Sequence, residues 1–137
     1  MTIGSGATSI GSDAFTSCIS LEEMTVSPEN PAYCSEDGVL FNKDKTTLLN
    51  YPAAKTGDYV VPSSVTEIGL MAFCDCEGLT AVTLPEGLIS IGQANFGHCI
   101  GLKEVVIPNS VTSIGSTAFS LCTGLTKVTI GSSVTTI

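Results

Sequence analysis

The residues of this chain best suited to chemistry are its six cysteines and its single histidine. His98 and Cys99 are adjacent, and Cys74 and Cys76 lie two positions apart. Thiolate and imidazole together suggest a zinc centre, or a thiol nucleophile activated by a base. Neither pattern is complete. A structural zinc site uses two correctly spaced ligand pairs, which this set lacks. A nucleophilic cysteine needs a base within hydrogen-bond reach and a third group to orient that base. Here the one imidazole is next in sequence to a cysteine that holds a packing position. There is no G-x-S-x-G turn, no phosphate-binding loop and no clustered acid pair. The sequence points to no catalytic residue, no metal and no cofactor, and hence to no enzyme.

The cysteines are explained better by the elements that position them. Cys76, Cys99 and Cys122 are 23 residues apart, as are Phe73, Phe96 and Phe119, and Leu79, Leu102 and Leu125. Ile68, Ile91, Ile114 and Ile137 keep the same step. Ile10, Phe15, Cys18 and Leu21 repeat the internal register once more near the start. A period of this length is the mark of a repeat solenoid, in which each unit buries its apolar face only against its neighbours. At the repeated position a free cysteine serves as a small buried hydrophobe. Side chains stacked on a ladder point the same way, which keeps their Cβ atoms too far apart for a comfortable disulfide. Free thiols are therefore expected at Cys18, Cys76, Cys99 and Cys122. Cys34 and Cys74 lie off the ladder, and a bridge between them stays open.

Composition narrows the function classes. The chain is 43% hydrophobic and 13% charged over 137 residues, which excludes intrinsic disorder and allows one domain with a continuous core. A net charge of −8 with only five basic residues argues against nucleic acid and anionic lipid as partners. No apolar run reaches the ~18 to 20 residues of a membrane span. The first residues lack the basic start and apolar stretch of a secretory signal. Thr2–Ile10 aligns with Thr129–Ile137, so both ends fall inside a repeat.

Within the single domain, 1–137, residues 1–10 form a partial unit and 11–28 a first repeat. Residues 29–67 form an enlarged coil, and 68–90, 91–113 and 114–137 are regular repeats. Each unit reads as a helical turn carrying the Phe at i, i+3, i+4 spacing, followed by a strand with period two. Gly69, Gly92 and Gly115 open the turns, where a positive φ is expected. In the enlarged coil, 37–41 and 46–49 flank Asn42-Lys43-Asp44-Lys45, the pattern of a β-hairpin whose tip projects from the rod. Asn95 stands where Ala14, Ala72 and Ala118 keep alanine, and if buried its amide must find partners.

The unit I-G-x-x-A-F-x-x-C-x-x-L-x-x-V-x-[IL]-P resembles the BspA-like leucine-rich repeats. So does the segment around Asn30-Pro31-Ala32-Tyr33, Asp37 to Lys43 and Tyr51-Pro52. The resemblance implies a leucine-rich-repeat solenoid: a right-handed coil with a parallel β-sheet on one face and short strands and helical turns on the other. It also implies a bacterial cell-surface or secreted protein of adhesin type. The expected partner is an extracellular matrix or host surface protein or a glycan. No residue-level binding motif comes with the family.

Alternation along the strands nominates the ligand face. Thr25, Thr83, Val106 and Thr129 make one outward column, and Glu23, Ala81, Glu104 and Lys127 its neighbour. A threonine column also simply suits an exposed pleated strand. The competing expectation is a spacer segment of a longer protein with no ligand of its own. Open repeat ends further predict end-to-end self-association.

Overall fold

The computed structural model describes residues 1–137. Twelve strands follow one another: β1 (Thr2–Ile3), β2 (Thr25–Val26), β3 (Tyr33–Glu36), β4 (Val39–Asn42), β5 (Thr47–Asn50), β6 (Gly57–Val60), β7 (Glu67–Ile68), β8 (Leu79–Thr83), β9 (Ser90–Ile91), β10 (Glu104–Val106), β11 (Ser113–Ile114) and β12 (Lys127–Thr129). β6, β8, β10 and β12 form a parallel sheet in that spatial order. The two-residue strands β9 and β11 pair in parallel on another side of the coil. β1 and β2 make a separate parallel pair.

The 23-residue period becomes a stack because each coil lays the same side chain on its neighbour. Leu79 and Leu102, Val82 and Val105, and Ile68, Ile91 and Ile114 are buried in one cluster of 24 residues. An aromatic column runs through it. Tyr51 and Phe73 have ring centroids 5.0 Å apart, Phe73 and Phe96 4.8 Å, and Phe96 and Phe119 5.4 Å. Offset stacking of this kind adds to the area the rings bury. Tyr51 takes the ring position in the enlarged coil. Phe15 does not join the column; it lies half-buried beside a second cluster made of Ile3, Met24, Val26 and Leu40.

The expected helical turns are not formed, and the chain contains no helix. From Gly69 to Leu79 the backbone makes successive i→i+3 turns: Ala72 N donates to Gly69 O, Cys74 N to Met71 O and Cys76 N to Phe73 O. Met71 and Asp75, four residues apart, take left-handed φ of 53° and 60°. Ala94 and His98, and Thr117 and Leu121, repeat this. A left-handed residue every fourth position stops helical propagation. Alternate N–H groups of the turn bond along the rod to the next coil instead: Phe73 N donates to Asn95 O and Asp75 N to Gly97 O, both at 2.9 Å. Turns four residues apart reproduce the i, i+4 apolar spacing of a helix, which is why the sequence resembled one.

The glycines that open these turns also differ from expectation. Gly69, Gly92 and Gly115 have no positive φ. Close approach of backbone accounts for Gly115, where a Cβ would meet Gln93 N at 2.6 Å and Gly92 C at 2.7 Å. Gly124 is tighter still, with Ile100 O at 2.2 Å from a Cβ. Each is small so that coils can stack.

The hairpin exists but does not project. β4 pairs antiparallel with β5, as expected, and also with β3, through a turn at Asp37 and Gly38 with φ of 51° and 79°. Alternation along β4 sends Val39 and Phe41 into the main cluster and Leu40 into the smaller one. The insertion thus joins two cores. Its tip is tied down: Asn42 Oδ1 accepts from Thr46 N and Thr47 N, Lys43 Nζ donates to Asn30 O at 2.7 Å, and Lys45 pairs with Glu36. Asn30, fully buried, donates to Gly4 O and Ala7 O and accepts from Ala32 N and Tyr33 N, which anchors the first unit to the insertion.

Candidate functional site

The parallel sheet presents its outward face as two adjoining columns. Register aligns Asp58, Ala81, Glu104 and Lys127 in one, and Val60, Thr83, Val106 and Thr129 in the other. Six of the eight residues nominated from sequence therefore lie on one surface. Glu23 and Thr25 do not join it. Thr25 pairs with Thr2, and Met24 N donates to Gly38 O, so the Asp37–Gly38 turn stands where β6 would otherwise be the neighbour. Their places are taken by Asp58 and Val60, which sequence reading missed. The signal was present, since Tyr59, Val61 and Pro62 match the strand-then-proline position of the other repeats.

This face combines charge with exposed apolar surface. Val60 and Val106 are 67% and 57% exposed, high values for valine. Ala81 is the shortest side chain of its column and leaves a depression of about 300 Å³ bordered by Thr83, Glu86, Glu104 and Val106. Thr80 Oγ1 donates to Asp58 Oδ1 at 2.6 Å. Glu86 and Glu104 form no ion pair; the pairs of the molecule are Lys45 with Glu36, and His98 with Asp75 and Glu77.

The residues that first suggested chemistry lie on the turn side and are separated by burial. His98 Nδ1 is 3.0 Å from Asp75 Oδ1 and 3.7 Å from Glu77 Oε1, with its side chain 41% exposed. Ser17 Oγ donates to Asp75 Oδ2. Cys99 points inward instead, its thiol donating to Phe73 O at 3.0 Å. Cys122 does the same to Phe96 O at 2.9 Å, and Cys76 to Tyr51 O at 3.7 Å. A hydrogen bond from Cys122 favours the Cys99 thiolate, but the Cys76 contact and burial outweigh it, so the Cys99 pKa is raised. Cys122 is raised by its bond to Cys99 and then by burial. Protonated, inward-facing thiols are packing groups. All six cysteines are free, so the bridge left open between Cys34 and Cys74 is not formed. Cys18 departs from the ladder: it is exposed, because the first turn lies outside the aromatic stack that covers the other three. No three metal-ligating side chains come together.

A stack of 23-residue coils with L-x-x-V-x-[IL] strands on a parallel sheet defines the class of leucine-rich-repeat solenoids. Six copies of the BspA type leucine-rich repeat region match residues 1–38 and 51–137, and the chain belongs to that family. The unmatched residues 39–50 are β4, β5 and the loop between them. Among solved structures, a leucine-rich repeat protein from Eubacterium ventriosum is 35% identical with a TM-score of 0.91, over 94% of this chain and 35% of that one. The pneumococcal vaccine antigen PcpA is 28% identical with a TM-score of 0.79, over 96% of this chain and 38% of that one. A leucine rich cell surface protein from Faecalibacterium prausnitzii, 24% identical, shares the fold with a TM-score of 0.56 over 95% of this chain and 47% of that one. The chain spans about a third of the length of the first two. No curated protein shows significant similarity to it.

Proposed function

We propose that the chain is a non-catalytic binding module of a cell-surface or secreted bacterial protein, and that β6, β8, β10 and β12 present the ligand face. The exposure of Val60 and Val106 beside unpaired carboxylates on one continuous sheet carries the reading. Exposed apolar surface rimmed by polar groups is typical of contact sites. The vaccine antigen and the cell-surface protein among the structural relatives support the location. The ligand is an extracellular matrix or host surface protein, or a glycan. Nucleic acid is disfavoured by the charge of −8, and membrane insertion is not part of the reading.

The test is binding of the purified chain to a panel of matrix proteins and glycans, beside a Thr83→Lys, Thr129→Lys double variant. Both positions are exposed, so the variant should fold. Binding by the parent and its loss in the variant is the expected result. Binding by both would move the site to the turn side. Silence from both would favour a spacer without a ligand of its own.

A further inference from the structure

We propose that the cavity beneath the first turn binds a small free molecule of phenol type, a single aromatic ring carrying a hydroxyl. Residues 11–18 form one wall, through Ser12 and Phe15. Tyr33, Leu40, Leu49 and Asn50 of the insertion form the other, together with Leu70. The space measures about 90 Å³. A closed cavity of ~150 Å³ encloses benzene. A ring therefore enters this smaller space with one edge left at the mouth, where its hydroxyl needs a partner.

The lining supplies both requirements. Phe15 and Tyr33 stack on no other ring, unlike the column from Tyr51 to Phe119, so their surfaces are free for a ring between them. The β4–β5 ladder pairs Asn50 with Leu40, which sets both side chains on one face. Leu40 packs in the smaller core, and Asn50 thus faces the cavity beside it. The half-buried Asn50 amide bonds to no other group of the chain and stays open to solvent. It can accept from a phenol O–H or donate to its oxygen. An apolar, aromatic lining with one placed polar group is the usual form of a small-molecule site.

The first turn can admit a ligand because the stack does not hold it. In later coils Phe73 N donates to Asn95 O and Phe96 N to Ala118 O, whereas Phe15 N and Ser17 N have no partner. Tyr51 N donates onward to Ala72 O, so the enlarged coil continues the stack away from this turn. A Cβ on Gly11 would meet only Asp13 Oδ1, at 3.8 Å, where one on Gly115 would meet Gln93 N at 2.6 Å. The turn is fastened by side chains that reach past the enlarged coil. Ser17 Oγ donates to Asp75 Oδ2 at 2.8 Å, and Thr16 Oγ1 meets Met71 Sδ at 4.0 Å. Contacts this few and this exposed open without unfolding the core.

The probes are p-cresol and toluene, which differ only in the hydroxyl, titrated into methyl-labelled chain and followed by NMR. p-Cresol should shift the methyl signals of Ile10, Leu40, Leu49 and Leu70 saturably and leave those of Val105 and Val128 in place. A purely apolar void would prefer toluene. Here p-cresol should bind about fivefold tighter, the worth of one hydrogen bond, and Asn50→Leu should remove that preference. Leu49→Trp should fill the cavity and abolish binding. The chain has no tryptophan of its own, so blue-shifted emission from this variant reports an indole inside the cavity. Circular dichroism confirms that both variants are folded, and if Leu49→Trp is not, the titrations of the parent and Asn50→Leu decide alone. The absence of saturable shifts, shifts centred on Val105 or Val128, or no preference for p-cresol in the parent would overturn the proposal. So would a preference that survives in Asn50→Leu, or undiminished binding by Leu49→Trp with its indole buried.

Discussion

Asn95 Nδ2 donates to Gly69 O, 26 residues earlier, at 2.7 Å, while its Oδ1 accepts from Gly92 N at 2.6 Å. This amide sits at a break in the stack. The short strands β9 and β11 pair with each other, and β7 pairs with β5, but β7 and β9 do not pair. Where Gly69 N and Gly115 N donate to the coil before, Gly92 N has only the Asn95 side chain.

Asn95→Ala should therefore destabilise the protein by about 1–3 kcal/mol, although alanine is the repeat's own residue there, because the part-buried Gly92 N loses its partner and Gly69 O keeps only Ala72 N. Urea denaturation of the variant checks this. An unchanged midpoint would mean that β7 and β9 close up unaided.

The aromatic column predicts a sharp contrast. Phe96 is fully buried between two rings, and its replacement by alanine should cost about 3–5 kcal/mol. Thr129→Ser, on the exposed end of β12, should stay within about 0.5 kcal/mol. Equal shifts in the denaturation midpoint would show the facing of the strands to be wrong.

Thiol reactivity should divide the cysteines. In the folded chain Cys18 reacts quickly with a maleimide, and Cys76, Cys99 and Cys122 react only when the protein unfolds. Mass spectrometry of briefly labelled native protein locates the adducts. Native labelling at Cys99 at the rate of Cys18 would contradict the inward ladder.

Stability should decline in alkali. Cys99 and Cys122 are raised above the ordinary thiol value of 9.0, and burial pushes Tyr51 up to about 12. Above pH 9.0 the unfolded chain loses thiol protons that the folded chain keeps. The unfolded state then binds fewer protons, and stability falls as pH rises. The unfolding midpoint should begin to fall near that pH, and less steeply in a Cys99→Ala, Cys122→Ala variant. A parallel fall in both would assign the effect elsewhere.

Self-association is expected at the last coil. β12 has an unpaired outer edge, and Val128 and Ile130 are 41% and 47% exposed. Open strand edges with apolar residues recruit further strands. Light scattering of the 137-residue chain should show mass rising with concentration; a constant monomer would count against stacking.

The sequence by itself determined the stack. A side chain that returns every 23 residues must meet its own copy, so the core ladders of Leu79, Phe96 and Cys99 were legible from spacing alone. The outward columns of β8, β10 and β12 followed from strand alternation. The family pattern was legible for the same reason, since it is a pattern of packing positions.

The tertiary structure decided what periodicity does not encode. A turn every four residues and a helix share apolar spacing, and only the left-handed φ of Met71 and Asp75 tells them apart. The irregular insertion has no repeat to predict its neighbours. Its turn at Asp37 and Gly38 displaced Glu23 and Thr25 from the sheet face and let Asp58 and Val60 take their places. Its strand β4, buried on both sides, became the joint between two cores. Long-range packing of a non-repeating segment depends on where distant residues leave space, and neighbours in sequence carry no record of that.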